Sequence, residues 1–180
     1  MLIGKPVTVI GGGIGGLTAA LALAQRGAKV GVLEQAPEFS EVGAGIQISP
    51  NGWVVLRALG LAEAVATDAT RARAVRLRDF RKGAEVFAMP FAERAAPWHF
   101  VHRADLVAVL EAACRDAGVE LRTGARVVSV TPEGARTRLG FETGAEEAHG
   151  LTIDAAGLNS PGRAALNPMS RPFFTGQVAW

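Results

Sequence analysis

Gly11, Gly13 and Gly16 stand in a G-x-G-x-x-G spacing within the run Gly11-Gly12-Gly13-Ile14-Gly15-Gly16. The chemistry this pattern suits is phosphate binding by bare backbone. Gly11 permits a tight turn, Gly13 lets the chain approach a pyrophosphate with no Cβ in the way, and Gly16 lets a helix pack closely on a strand. Phosphate oxygens then meet the unsatisfied N–H groups at the positive end of that helix. Glu34 follows about 20 residues on, where an acid can accept the hydroxyls of a ribose. A carboxylate at that point disfavours a 2′-phosphate, so NADP is not expected at this turn. The competing reading, a glycine-rich turn beside a surface glutamate, is outweighed by the strand before the turn and the helix after it. NAD and FAD both satisfy the spacing, which does not choose between them.

The elements that position these residues follow from periodicity. Val7–Ile10 is a short β-branched run suited to a buried parallel strand. Ile14, Leu17, Leu21 and Ala24 recur at helical spacing, and Gly27 is the expected stop. Lys29–Leu33 is a second strand, which completes a βαβ unit of the expected ~30 residues. Beyond it we expect a helix from Asn51 to Leu59 after Pro50, strands at Arg71–Phe80 and Ala84–Ala88, and an amphipathic helix from Arg103 to Ala117 closed by Gly118. Further strands are expected near Val119–Leu121, Arg126–Val130, Thr137–Phe141 and Leu151–Ala155. The fold class is α/β, a Rossmann-like domain with a parallel sheet.

Composition narrows the setting. The chain has 180 residues, 49% of them hydrophobic, with one cysteine and a formal net charge of +2. That length buries a sizeable core, and a single cysteine excludes a disulfide scaffold and points to a reducing, cytoplasmic location. Val7–Ala24 is uncharged and of membrane-spanning length, but the glycines in its middle argue for strand, turn and helix instead. No membrane and no nucleic-acid partner is expected. The basic tract Arg71, Arg73, Arg76, Arg78, Arg81 and Lys82 lacks interleaved aromatics for base stacking and is read as a solvated strand face. His99, His102 and His149 do not form a metal-ligand spacing, and no metal site is expected. Cys114 sits on an apolar helix face as core, and no G-x-S-x-G elbow surrounds Ser160.

The segment Glu38–Gly52, together with Gly11–Gly16 and Glu34, resembles the FAD-dependent aromatic-ring hydroxylases, in particular the salicylate-hydroxylase-like flavoprotein monooxygenases. Val101-His102-Arg103-Ala104-Asp105-Leu106 is similar to that family's arginine-bearing helix start. Ala155-Ala156-Gly157-Leu158-Asn159-Ser160-Pro161-Gly162-Arg163 is similar to its second cofactor motif. The resemblance runs over essentially the whole chain and implies FAD at the glycine turn. The residues it assigns to FAD are Gly11, Gly13, Ile14, Gly15, Gly16, Glu34, Gln35, Gly45, Gln47, Arg103, Val127 and Gly157. Glu34 would hold the adenosine ribose with Gln35 beside it, Gly45 and Gln47 would lie near the flavin, and Val127 would offer backbone contacts on the adenine side. Arg103 also stands out physically, because a cation in the first turn of a helix opposes the macrodipole.

By the same resemblance NAD(P)H is the co-substrate, and one atom of dioxygen enters a salicylate- or hydroxybenzoate-like ring. Two departures qualify this. The position before Gly157, an aspartate in the family, is Ala156, and Asp154 two residues earlier lies about 7 Å along the strand. Family members are also about twice as long. Residues 1–180 are therefore expected to be the FAD-binding domain, with 68–98 and 165–180 as partial substrate-domain strands, of a truncated monooxygenase. No catalytic base is assigned. A homo-oligomer or a complementing chain is the expected macromolecular partner. The alternatives are a non-catalytic flavin-binding fragment and an NAD-binding module.

Overall fold

The computed structural model describes residues 2–39, 45–91, 98–167 and 173–177. In chain order the elements begin with β1 (Pro6–Ile10), α1 (Ile14–Ala24), β2 (Lys29–Leu33), β3 (Gly45–Ile48), α2 (Pro50–Ala58) and α3 (Ala62–Ala66). There follow β4 (Thr70–Arg71), β5 (Ala74–Arg78), β6 (Glu85–Pro90), β7 (His99–His102), α4 (Arg103–Asp116) and β8 (Glu120–Arg122). The last are β9 (Val127–Glu133), β10 (Arg136–Phe141), β11 (Glu146–His149), β12 (Leu151–Asp154) and α5 (Pro161–Leu166). The chain divides into two units, residues 1–40 with 110–180, and residues 41–109.

The first unit is built on a sheet of order β12-β1-β2-β8, parallel throughout. The apolar runs of β1 and β2 pair in register from Pro6↔Lys29 to Ile10↔Leu33. Val7, Val9, Val30 and Val32 are buried, as expected for strands covered on both faces. Charge is most concentrated on the short β8, where Glu120 is exposed at the sheet edge. Helix α1 packs on β1 and β2 and buries Gly16, Leu17, Ala20 and Leu21. An antiparallel meander, β11-β10-β9, supplies Leu139 and Phe141 to a cluster with Ile10, Leu33 and Ala125. Removing Leu139, wholly buried at 0% exposure, would cost about 2–5 kcal/mol as a Leu→Ala change. The uncharged stretch Val7–Ala24 is β1, a turn and α1, and no helix among the described residues is long and apolar enough to cross a membrane.

The second unit holds an antiparallel sheet, β3-β7-β4, and the hairpin β5-β6. The single strand expected over Arg71–Phe80 is two. β4 pairs with β7 and β5 with β6, because the chain changes partner at Ala72 and Arg73. The Ala72 N–H donates to the carbonyl of Trp98 (2.7 Å), while the Arg73 carbonyl accepts from Phe91 (2.8 Å). In the hairpin, Val75 and Leu77 pair with Met89 and Phe87 on one face, and Arg76 pairs with Ala88 on the other. The basic tract is exposed as expected but is not one strand face: Arg71 lies on β4, Arg76 and Arg78 on the polar side of β5, and Arg81 and Lys82 in the hairpin turn, with Arg76 3.2 Å from Glu85. Of the strand expected within 165–180, Leu166 ends α5, and 173–177 carry no strand. Residues 168–172 and 178–180 lie outside the described residues. β3, α3, β7, β11 and α5 had no counterpart in the expected strands and helices.

Candidate functional site

The glycine turn joins the end of β1 to the start of α1 in the first unit. Its five glycines divide into two groups by what surrounds them. Gly11 has φ +99°, and a Cβ on it would lie 2.6 Å from the Ala155 carbonyl oxygen and 3.0 Å from the Ala156 Cα. A Cβ on Gly12 would overlap the Phe39 ring and approach Glu34 Oε2 at 3.0 Å. One on Gly16 would overlap the Gly11 carbonyl, which is how closely α1 sits on the end of β1. The protein itself demands these three.

Gly13 and Gly15 are different. Among the described residues, and apart from their own chain neighbours and the helix backbone, nothing lies within 4 Å of the Cβ that either would carry, and neither has a positive φ. Gly13 has φ −72° and ψ −179°, extended backbone that any residue adopts. It is the N-cap of α1, makes no side-chain cap, and no acid stands in the first turn. The first N–H groups of this helix therefore have no side-chain acceptor. The turn presents the positive end of an 11-residue helix to space kept clear of side chains.

Glu34 follows β2 directly and is tied into the turn. Its Oε2 accepts from the Gly12 N–H (2.5 Å) and its Oε1 from the Ala36 N–H (2.8 Å). Its main chain is anchored too, by Glu34 N–H to the Arg122 carbonyl and Ala125 N–H to the Glu34 carbonyl, both 2.8 Å. Each carboxylate oxygen keeps a further lone pair for a hydroxyl donor. Gln35, next to it, is exposed. Val127 opens β9 half-buried against the Ile10–Leu33–Phe141 cluster, and the Ala156 methyl packs on the same cluster. Gly157 turns the chain with φ +75° in a short 3-10 turn, Gly157–Asn159. Gly11–Gly16, Glu34, Val127 and Gly157 thus converge around the carboxyl ends of β1, β2 and β12.

Three of the sequence-assigned residues lie in the second unit. Gly45 pairs with His102 and Gln47 with Phe100 across β3 and β7, and Arg103 follows His102 as the first residue of α4. Gly45 and Arg103 are therefore neighbours on adjacent chain ends. Gly45 and Gln47 are exposed and Arg103 is half-buried, with Asp105 in the same first turn of its helix.

Asp154 was set aside in the sequence on its distance from position 156, yet its carboxylate reaches the turn. Oδ1 accepts from Ala156 N–H (3.0 Å), and Oδ2 accepts from Ser160 Oγ (2.6 Å) and Gly162 N–H (2.7 Å). The signal available was an acid followed six residues on by a serine, flanking a glycine turn. Elsewhere in this unit, Thr8, His149, Glu147 and Arg122 line a groove of about 600 Å³ floored by Gly31. The Arg122 guanidinium, 2.7 Å from Glu147, holds that carboxyl below its usual range. Cys114 is buried, donates to the Leu17 carbonyl (3.3 Å), and its thiol is pushed up to about 11 by burial.

Comparison with known proteins returns one family model, described as an FAD binding domain, which matches residues 5–171. The 3-amino-4-hydroxybenzoate 2-monooxygenase of Streptomyces cremeus is 38% identical over 165 residues, covering 89% of this chain and 41% of that protein. Among solved structures, the tetrameric form of 2-methyl-3-hydroxypyridine-5-carboxylic acid oxygenase superposes with a TM-score of 0.81 at 29% identity, over 91% of this chain and 42% of that one. A variant of Klebsiella pneumoniae HpxO complexed with FAD superposes with a TM-score of 0.75 at 31% identity, over 89% and 42%. The chain spans under half the length of each of these relatives.

Proposed function

The chain belongs to the FAD-binding-domain family, and from that premise we propose that it carries the FAD-binding part of a monooxygenase that hydroxylates an aromatic acid. The observation that carries the reading is the clear space at Gly13 and Gly15. Two glycines that neither backbone conformation nor packing requires stand at the uncapped start of α1, where a diphosphate needs close approach.

On this reading the main chain of Gly11–Gly16 holds the diphosphate and Glu34 accepts hydroxyls of the adenosine ribose. Gln35 flanks it, the Val127 backbone serves the adenine side, and Gly157 belongs to the second cofactor turn. Gly45, Gln47 and Arg103 serve the ring end. Bound FAD supplies the redox chemistry by which NAD(P)H and dioxygen deliver one oxygen atom to the substrate. The protein's part is to bind, orient and keep water away. A carboxylated aromatic substrate, an oligomeric whole protein and NAD(P)H as reductant belong to the same proposal.

Purification tests it directly. The chain should carry or take up FAD, seen as visible flavin absorbance, and the whole protein should oxidise NAD(P)H faster when a hydroxybenzoate is added. A colourless chain that binds NAD would sink the assignment. Ala156 favours a second reading, a flavin-binding module without turnover, because a methyl group cannot accept a hydrogen bond where the family resemblance implies an acid. On that reading Ala156→Asp tightens FAD binding; unchanged affinity removes it.

A further inference from the structure

We propose that Asp154 is the positioning residue of the cofactor cradle, and that with Ser160 and Gly162 it sets the wall against which the Gly11 turn closes. The proposal rests on FAD occupying that turn. Asp154 ends β12 and lies in register with Ile10, the last residue before Gly11. The next residue donates from Ala155 N–H to the Ile10 carbonyl (2.8 Å). The wall that a Cβ on Gly11 would strike is therefore the Ala155–Ala156 peptide, whose N–H points to Asp154.

What fixes that peptide is the Asp154 carboxylate. It collects the N–H of Ala156, the hydroxyl of Ser160 and the N–H of Gly162, so both oxygens are used on the chain's own atoms. Ser160 passes the order on, since its Oγ also accepts from Arg163 N–H (2.8 Å) and caps α5. Helix α5 in turn packs along β9, the strand that Val127 opens. One carboxylate thus ties the strand end, the Gly157 turn and the start of α5 into one piece. Hydrogen bonds to an ionised acceptor are about twice as strong as neutral ones, and a fully satisfied cluster is rigid.

Gly162 is matched to the acid. A Cβ there would overlap Asp154 Oδ2 and lie 3.0 Å from its Cγ, so the carboxylate occupies the room that this glycine leaves. The Ala156 methyl meanwhile faces the apolar cluster and accepts nothing. The carboxylate beside this turn therefore acts through the turn's geometry, which makes Asp154 a positioning residue and not a catalytic one. Its effect on FAD is preorganisation: the cradle is in place before the cofactor arrives.

The test uses the full chain, titrated with FAD by flavin fluorescence, with amide hydrogen exchange followed in the apo form. Asp154→Ala is expected to weaken FAD binding at least tenfold, about 1.4 kcal/mol. It should also speed exchange at Ala156 and Gly162 while Val9 and Val32 stay protected. Gly162→Ala should do the same, because its Cβ drives the carboxylate away, and the double variant should be no worse than Asp154→Ala alone. Unchanged FAD affinity in Asp154→Ala overturns the proposal. So do lost affinity with both amides still protected, and losses that multiply in the double variant. Should Asp154→Ala not fold, Ser160→Ala removes one of the donors and is expected to weaken FAD about threefold; unchanged affinity there is equally fatal. A wild-type chain that takes up no FAD overturns the cofactor assignment and this proposal together, whereas a wild type that binds no better than Asp154→Ala overturns this one alone.

Discussion

Gly13→Ser separates what the fold needs from what a cofactor needs. The side chain enters space where, among the described residues, nothing beyond the chain neighbours lies within 4 Å, on backbone at φ −72° and ψ −179° that serine adopts freely. It also fills an N-cap that has no side-chain acceptor. Serine improves on glycine as a cap by a few tenths of a kcal/mol, and losing a flexible glycine from the unfolded chain adds about 0.4–1 kcal/mol. The apo chain should gain about 1 kcal/mol, which for a chain of this size raises Tm by roughly 2–4 °C. FAD should suffer. Displacing a phosphate from even one backbone N–H forfeits a charged hydrogen bond of about 1.5–3 kcal/mol, roughly a ten- to 150-fold loss of affinity. Thermal unfolding of the apo chain and fluorescence titration with FAD measure the two effects separately. A destabilised apo chain would mean that the space is not open. An affinity within about twofold of wild type would refute the placing of the diphosphate over Gly13.

Other outcomes follow from the same contacts. Gly16→Ala gains up to ~1 kcal/mol of helix propensity but drives its Cβ into the Gly11 carbonyl, so overpacking should win and lower the urea midpoint by the equivalent of at least ~1 kcal/mol. An unchanged midpoint would contradict the close approach of α1 to β1. His99 stacks on Trp53 at 4.0 Å, and burial, then the Arg71 guanidinium, hold it below 6.5. The unfolded chain then takes up the proton first, so wild type should lose stability relative to His99→Gln as pH falls through 6.5, with the difference flattening below the folded-state value. A difference that stays constant with pH argues against that environment. Cys114, with its thiol raised to about 11, should resist iodoacetamide in the native chain and react fully in denaturant; native labelling would disprove its burial.

Much of the cradle was legible because it is local. Val7–Ile10, the glycines and Ile14–Ala24 signal by period and by turn chemistry, and β1, α1 and β2 match those runs closely. Glu34 was identified from its place after the second strand, but its bond to Gly12 was not, since that contact depends on how the turn folds back. The same holds for Asp154, whose donors lie at 156, 160 and 162. Strand spacing put it about 7 Å from position 156, whereas the chain turns at Gly157 and brings the donors to the acid. The split between β4 and β5 was illegible for another reason. Arg71–Arg78 alternates but for the adjacent Ala74 and Val75, too slight a break to mark a change of partner, and it is the carbonyl of Trp98 and the N–H of Phe91 that take the chain to two partners. β3 and β11 are four residues each, too short for a period to show.

The parallel sheet also fixes a sequence of events during synthesis. Gly11 is closed by Ala155 and Ala156, which pair alongside β1 only after 144 further residues have been made. At about 5–20 residues per second, that is roughly 7–30 s in which the glycine turn has left the ribosome without its wall. Long-range parallel pairing is slow to close in any case. A nascent chain therefore cannot form the complete cradle until β12 emerges, and uptake of a dinucleotide there has to follow that point.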